Sequence, residues 1–297
     1  MNARVSHDRR SSFPCRARSL AGSVVLASAA IGGLARGGSA QAAASAVSVA
    51  LRLHPHVGDT LHTRLEQVTE ITSANASAGS SRPMITKVTV LARTIVQTSR
   101  QATTTVLTVV DSADVRSSDA HGAAMAAQAE KVLRGQRMVI ELAEDGSVER
   151  ARDARGLAVP RDVADAMAAM PAVLPHRPLN VGDRWQREMP IPSAGPIGSG
   201  ANAQVRAEFR LDSLSGNGDV AFVSMKGLIA SDSGARGVEM AGNMSGAMQI
   251  DRVRGWMTDS YFTLLIRSIV TPPNGTGMQP MKFVTRVTQR LRTMDKR

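Results

Sequence analysis

Val205-Arg206-Ala207-Glu208-Phe209-Arg210-Leu211-Asp212 decides the fold class. Apolar residues at 205, 207, 209 and 211 alternate with charged ones at 206, 208, 210 and 212, the period of a strand with one face buried and the other in solvent. Gly216-Asn217-Gly218 then signals a hairpin, and the chain returns through Val220 to Met225.

The same alternation recurs outward from this strand. From Leu61 to Ile71 the odd positions run Leu, Thr, Leu, Gln, Thr, Ile, while the even ones include His62, Arg64, Glu66 and Glu70. Met84 to Gln97 and Thr103 to Val110 are rich in Val, Ile and Thr and read as the next two strands. Two segments break the pattern. Ala123 to Leu133 is Ala-rich with apolar residues near helical spacing and Gly135 as a C-terminal cap. Pro160 to Met170 opens with proline, carries Asp162 in its first turn and stops before Pro171.

A short motif repeats. Pro55-His56-Val57-Gly58-Asp59-Thr60-Leu61 opens one series of strands, and Pro178-Leu179-Asn180-Val181-Gly182-Asp183-Arg184-Trp185 opens another. Each series later holds a strand, a turn and a strand around glycine: Met138 to Leu142 with Asp145-Gly146, and Met248 to Asp251 with Gly255-Trp256. Gly-Asp after an extended run suits a turn, because glycine takes positive φ and aspartate bonds nearby amides. Asp59 and Asp183 are therefore expected to be structural. The expected fold is β-rich α+β: two related antiparallel-sheet halves with two short helices between them, joined as one curved half-barrel or packed as two lobes. The N-terminal half covers 43–175 with both helices, and the C-terminal half, an internal repeat, covers 176–297.

Residues 1–42 read as a cleaved export signal. Arg4, Arg9, Arg10, Arg16 and Arg18 precede a weakly apolar stretch from Leu20 to Leu34, and Ala40-Gln41-Ala42 supplies the small residues of a cleavage site. The Arg9-Arg10 pair with Phe13 resembles a twin-arginine signal, against the plainer reading of a general secretory signal with a long basic start. The stretch is shorter than the roughly twenty apolar residues a spanning helix needs, so the mature chain is expected in the periplasm or outside the cell and not as an integral membrane protein. Its removal takes six basic residues and one acidic, leaving thirty basic and twenty-four acidic, so the formal charge of +11 falls to +6. No clustered cationic stripe with groove-reading elements is present, which argues against nucleic acid. The single cysteine, Cys15, lies in the signal, which excludes disulfides and thiol catalysis from the rest.

The chemistry-bearing motifs are few. Gly-x-Ser-x-Gly, Ser-x-x-Lys, the phosphate loop and His-Glu-x-x-His are all missing. Gly198 to Ala203 fits Gly-x-Gly-x-x-Ala but precedes a strand, whereas a dinucleotide site needs a helix there. His54, His56 and His62 are candidate metal ligands through imidazole nitrogen, against the plainer reading of an exposed loop. Met225, Met240, Met244, Met248 and Met257 are candidates to line an adaptable apolar pocket, against ordinary core packing. Lys282, Arg286, Arg290 and Arg292 share one face of the last strand, opposite Phe283, Val287 and Leu291. They read as guards of a sheet edge or as a surface for anionic lipid headgroups or cell-wall polymers.

Leu174-Pro175-His176-Arg177-Pro178 leading into Val181-Gly182-Asp183-Arg184-Trp185, after a turn ending in Gly146-Ser147-Val148, resembles a family of exported bacterial proteins known only as a domain of unknown function. More distantly, strand-rich halves with small helices resemble the lipoprotein-carrier (LolA-like) fold, in which a curved antiparallel sheet cups a helical plug around an apolar cavity. That resemblance implies carriage of acyl chains and assigns no residue a role. The function expected from these readings is non-catalytic binding of a lipid, another hydrophobic ligand or an envelope protein, with no cofactor. The alternatives are a structural or assembly factor of the envelope and a hydrolase without a recognisable motif.

Overall fold

The computed structural model describes residues 48–73, 82–100, 102–155, 173–190, 203–231, 238–272 and 279–294. Residues Ser45–Arg297 cluster as one compact unit. Candidate cleavage residues Ala40 and Ala42, the segment Pro160 to Met170 and most of the Gly198 to Ala203 motif lie outside the described residues.

Among the described residues eleven strands form one antiparallel sheet. They are β1 (Thr60–Ser73), β2 (Met84–Arg100), β3 (Thr103–Ser117), β4 (Arg137–Ala143), β5 (Val148–Asp153), β6 (Arg184–Pro190), β7 (Ala203–Leu214), β8 (Val220–Ser231), β9 (Val238–Asp251), β10 (Trp256–Val270) and β11 (Met281–Met294). Their order is β5-β4-β3-β2-β1-β11-β10-β9-β8-β7-β6. The chain thus meanders outward from β1 to one edge, restarts at the other edge with β6, and meanders back until β11 pairs with β1. This pairing runs from His62↔Met294 to Ser73↔Phe283 and makes the sheet continuous.

Helix α1 (Ala120–Leu133) appears where Ala123 to Leu133 predicts a helix. Asp119 caps its start by accepting the Gly122 amide at 2.7 Å. The helix stands in for a missing strand: β4 reaches only as far as Val109 along β3. Beyond that point the Val115 amide donates to Glu130 of α1 at 3.4 Å, and the Gly135 amide donates to the Val110 carbonyl at 3.0 Å.

The sheet curls. Cα atoms of β7 and β9, which flank β8, come within 8 Å, although second neighbours in a flat sheet lie about 9.5 Å apart. Asp145, between β4 and β5, accepts the Val173 and Leu174 amides at 3.1 and 3.0 Å. The Val173 carbonyl in turn accepts the Trp185 indole of β6 at 2.7 Å. That relay spans about 10 Å, whereas β4 and β6, nine positions apart in the sheet, would be about 43 Å apart if it were flat. A strap of residues 49–54 tightens the same end. Val49 exchanges backbone bonds with Leu179, Leu53 donates to Glu144, and His54 donates to Gly255.

The face turned inward by this curl carries the core. Strands β6 to β10 contribute Trp185, Met189, Val205, Ala207, Phe209, Leu211, Val223, Met225, Ile229, Met244, Met248 and Ile266, which pack with Val49, Leu51, Leu174 and Leu179. Trp185 and Phe209 stack with ring centroids 5.5 Å apart. A smaller cluster, Val96, Val106 and Ile140, closes the β2–β4 side. The outer face is dressed with cross-strand ion pairs such as Arg184–Glu208 at 3.1 Å and Lys226–Glu208 at 3.2 Å.

Candidate functional site

Between the two clusters the inner face continues across β10, β11, β1 and β2. Alternation and register place Phe262, Leu264 and Ile266 of β10 opposite Gln289, Val287 and Thr285 of β11. Leu291, Gln289 and Val287 lie opposite Leu65, Gln67 and Thr69 of β1, and Leu65 and Gln67 opposite Val90 and Val88 of β2. From β7 through β11 and β1 to β2, no residue at an inward position is charged. Whereas most inward residues of β7 to β9 are buried, Leu65, Val88, Val90, Phe262, Leu264, Phe283, Val287 and Leu291 are only half-buried. This stretch is an uncharged, largely apolar surface of uneven exposure, in which Ile266, Ser268, Thr285, Leu61 and Thr94 are buried beside the half-buried residues. It holds neither a nucleophile–base pair nor a carboxylate pair, so what it offers is contact area and a few neutral hydrogen bonds.

The five methionines named from the sequence are brought together, but in the closed part. Met225 faces Gly246, whose neighbours on the same face of β9 are Met244 and Met248. All three are buried, and Met240 and Met257 pack against them. Met225, Met244 and Met248 belong to the core cluster with Phe209, and Met240 and Met257 border it. The half-buried residues on β10, β11, β1 and β2 were not singled out, although the alternation that places them inward was already visible in Leu61 to Ile71.

The cationic stripe does not guard an edge. Strand β11 lies in the middle of the sheet, paired on both sides, so the edge reading of Lys282, Arg286, Arg290 and Arg292 is corrected by the central β1–β11 pairing. The stripe faces outward among acids: Arg286 opposes Glu70 and Arg290 opposes Glu66 on β1. Arg290 donates to Asp259 at 2.8 Å, and this bond raises the Arg290 guanidinium pKa above its ordinary value. Arg292 approaches the same carboxylate at 4.0 Å, and Lys282 is exposed near the far end.

The histidines are not assembled into a metal centre. His54 contacts the Arg52 carbonyl at 3.2 Å, His56 lies 3.7 Å from Asp59, and His62 stands on the outer face of β1 with Nε2 buried. Among the described residues no group of three His, Cys, Asp or Glu side chains could hold an ion. A cleft of about 380 Å³ lies at the strapped end, lined by His56, Asp59, Thr60, Leu61, Val253, Arg254, Thr293 and Met294. Its charged groups serve their own turns: Asp59 accepts the His56 amide at 3.1 Å, and Arg254 approaches Asp251 at 3.7 Å.

No family model matches the chain, and no curated protein is similar to it. Among solved structures it is similar to DynF from the dynemicin biosynthesis pathway of Micromonospora chersina, at 9% identity and a TM-score of 0.23 over 85% of this chain and 88% of that one. A likeness so slight bears on neither fold nor function.

Proposed function

We propose that the protein binds an apolar or amphiphilic ligand, without catalysis, on the inner face of β10, β11, β1 and β2. The observation that carries this reading is the absence of charge at every inward position from β7 to β2, combined with the half-exposure of the residues in its middle. Apolar area that a monomer leaves uncovered is unfavourable in water by about 25 cal/mol per Å², and a bound chain removes that penalty. The resemblance to lipoprotein carriers points the same way, with the two Val-Gly-Asp series as related halves of one half-barrel. The Ala-x-Ala motif supports export to the periplasm or outside the cell, where lipid or another hydrophobic molecule would be the ligand. Among the described residues no helix is long and apolar enough to cross a membrane.

Solvent extraction of the purified protein followed by lipid mass spectrometry tests the reading. A co-purifying amphiphile, absent from a control protein taken through the same column, is the expected result. Lack of any such molecule, together with no binding of 1-anilinonaphthalene-8-sulfonate, overturns it.

A second reading, an envelope assembly factor, is favoured by one observation: among the described residues β5 and β6 each pair with a strand on one side only. An extended partner segment adds to such an edge through its main chain. Cross-linking from cysteines introduced on β6 is expected to recover a discrete partner if that reading holds.

A further inference from the structure

On the outer face Arg290 and Arg292 share Asp259, but the other half of the cationic stripe keeps different company. Arg267 of β10 pairs with Val284 of β11, so Lys282 and Arg286 are its two diagonal neighbours, and such neighbours lie about 7–8 Å apart. All three are exposed, and among the described residues none of them forms an ion pair. The acids beside them by register are Glu70, across from Arg286, and Glu239, across from Ile269, while Lys87 is diagonal to Glu70. The group thus counts four cations against two carboxylates, an excess of +2. Aliphatic residues stand among the cations: Val284 between Lys282 and Arg286, and Leu265 and Ile269 on either side of Arg267. Leu228 of β8, 71% exposed, lies in the row of Leu265 through Asn243. A face that met only water would gain nothing from aliphatic groups at outward positions.

We propose that this patch docks the protein on an anionic phospholipid bilayer, with Arg267, Lys282, Arg286 and Lys87 at the headgroup phosphates and Leu228 in the interface beneath them. The cations set the sign of the partner. The aliphatic groups select a bilayer, which has an apolar layer under its charge, over a hydrated polyanion, which has none. The patch lies on the face opposite the proposed ligand surface, so docking does not depend on the ligand-binding reading.

The test is co-sedimentation of the chain from Ala43 onward, which holds the compact unit Ser45–Arg297 and omits the basic segment 1–42. The vesicles are phosphatidylglycerol and phosphatidylcholine in equal parts, or phosphatidylcholine alone. The wild type is expected to sediment with the anionic vesicles only, and to be released by about 0.5 M salt, which cuts the screening length to about 4 Å. R267Q/K282Q/R286Q removes no ion pair, so it is expected to keep its Tm and to bind the anionic vesicles about hundredfold more weakly. R137Q/R150Q/R152Q takes the same charge from β4 and β5 and is expected to bind as the wild type does. Leu228→Gln is expected to weaken vesicle binding about fivefold. Equal vesicle binding by the two triple variants overturns the patch. Vesicle binding that L228Q leaves unchanged, with equally tight binding to soluble polyphosphate, makes the partner a hydrated polyanion and overturns the bilayer. Failure of the wild type to bind the anionic vesicles overturns both.

Discussion

Gly246 holds the bend of the sheet. A Cβ on this residue would stand 2.2 Å from the Tyr261 carbonyl oxygen and 2.8 Å from the Phe262 Cα, both backbone atoms of the neighbouring strand. Nothing there can rotate away, so Gly246→Ala forces the strands apart. We expect it to lower stability by about 3 kcal/mol, read from the urea unfolding midpoint. Phe209 is fully buried and stacked on Trp185, and Phe209→Ala is expected to lose about 4 kcal/mol, with a red shift of tryptophan emission as the Trp185 pocket opens. On the half-buried face, Val287→Glu places a carboxylate among uncharged neighbours. It is expected to weaken binding of 1-anilinonaphthalene-8-sulfonate by about tenfold or more, measured by fluorescence titration. Phe209 was legible as a core residue because alternation alone puts it inward. The demand at Gly246 was not legible, because it comes from a neighbouring backbone whose distance depends on curvature.

At the scale of elements, the two Val-Gly-Asp turns are built alike. Gly58 and Gly182 take φ of 91° and 95°, and Asp59 and Asp183 accept the amides of His56 and Asn180 at 3.1 and 3.0 Å. Each turn then docks on the next strand in the same way: the Gly58 amide donates to the Val96 carbonyl and the Gly182 amide to that of Leu211. Asp59→Ala and Asp183→Ala are therefore expected to cost about 1 kcal/mol each, equal within error and additive in the double variant, by thermal unfolding. This likeness was legible, since glycine and aspartate act on residues three positions away. The role of β11 was not. Its cations look like edge protection when read along one strand, and only the identity of the strands beside it shows that Glu66, Glu70 and Asp259 answer them.

Across the whole molecule, stability depends on contacts between the two ends of the sequence. Ending the chain after Pro280 deletes β11 and leaves β1 and β10 with unpaired edges in the middle of the sheet. Such a chain is expected to show no cooperative unfolding transition by circular dichroism, whereas two independent lobes would leave the first one folded. The strap offers a milder test. Leu51 is 1% exposed in the core that seals the strapped end, and Leu51→Ala is expected to cost about 3 kcal/mol, with faster proteolysis as the strap loosens.

The amino-acid sequence by itself determined that the chain is built of half-buried strands, which residues face inward on β1, β7 and β11, where the two Val-Gly-Asp turns fall and where α1 runs. These are properties of period and of neighbours within a few residues, and they are written locally. Only the tertiary structure decided that β1 and β11 pair, that the sheet curls until Asp145 and Trp185 share Val173, and that Ser268 and Thr285 lie diagonally on neighbouring strands. A period of two assigns each side chain a face but names no partner strand, and partners far apart in sequence are chosen by how the whole apolar surface is buried at once.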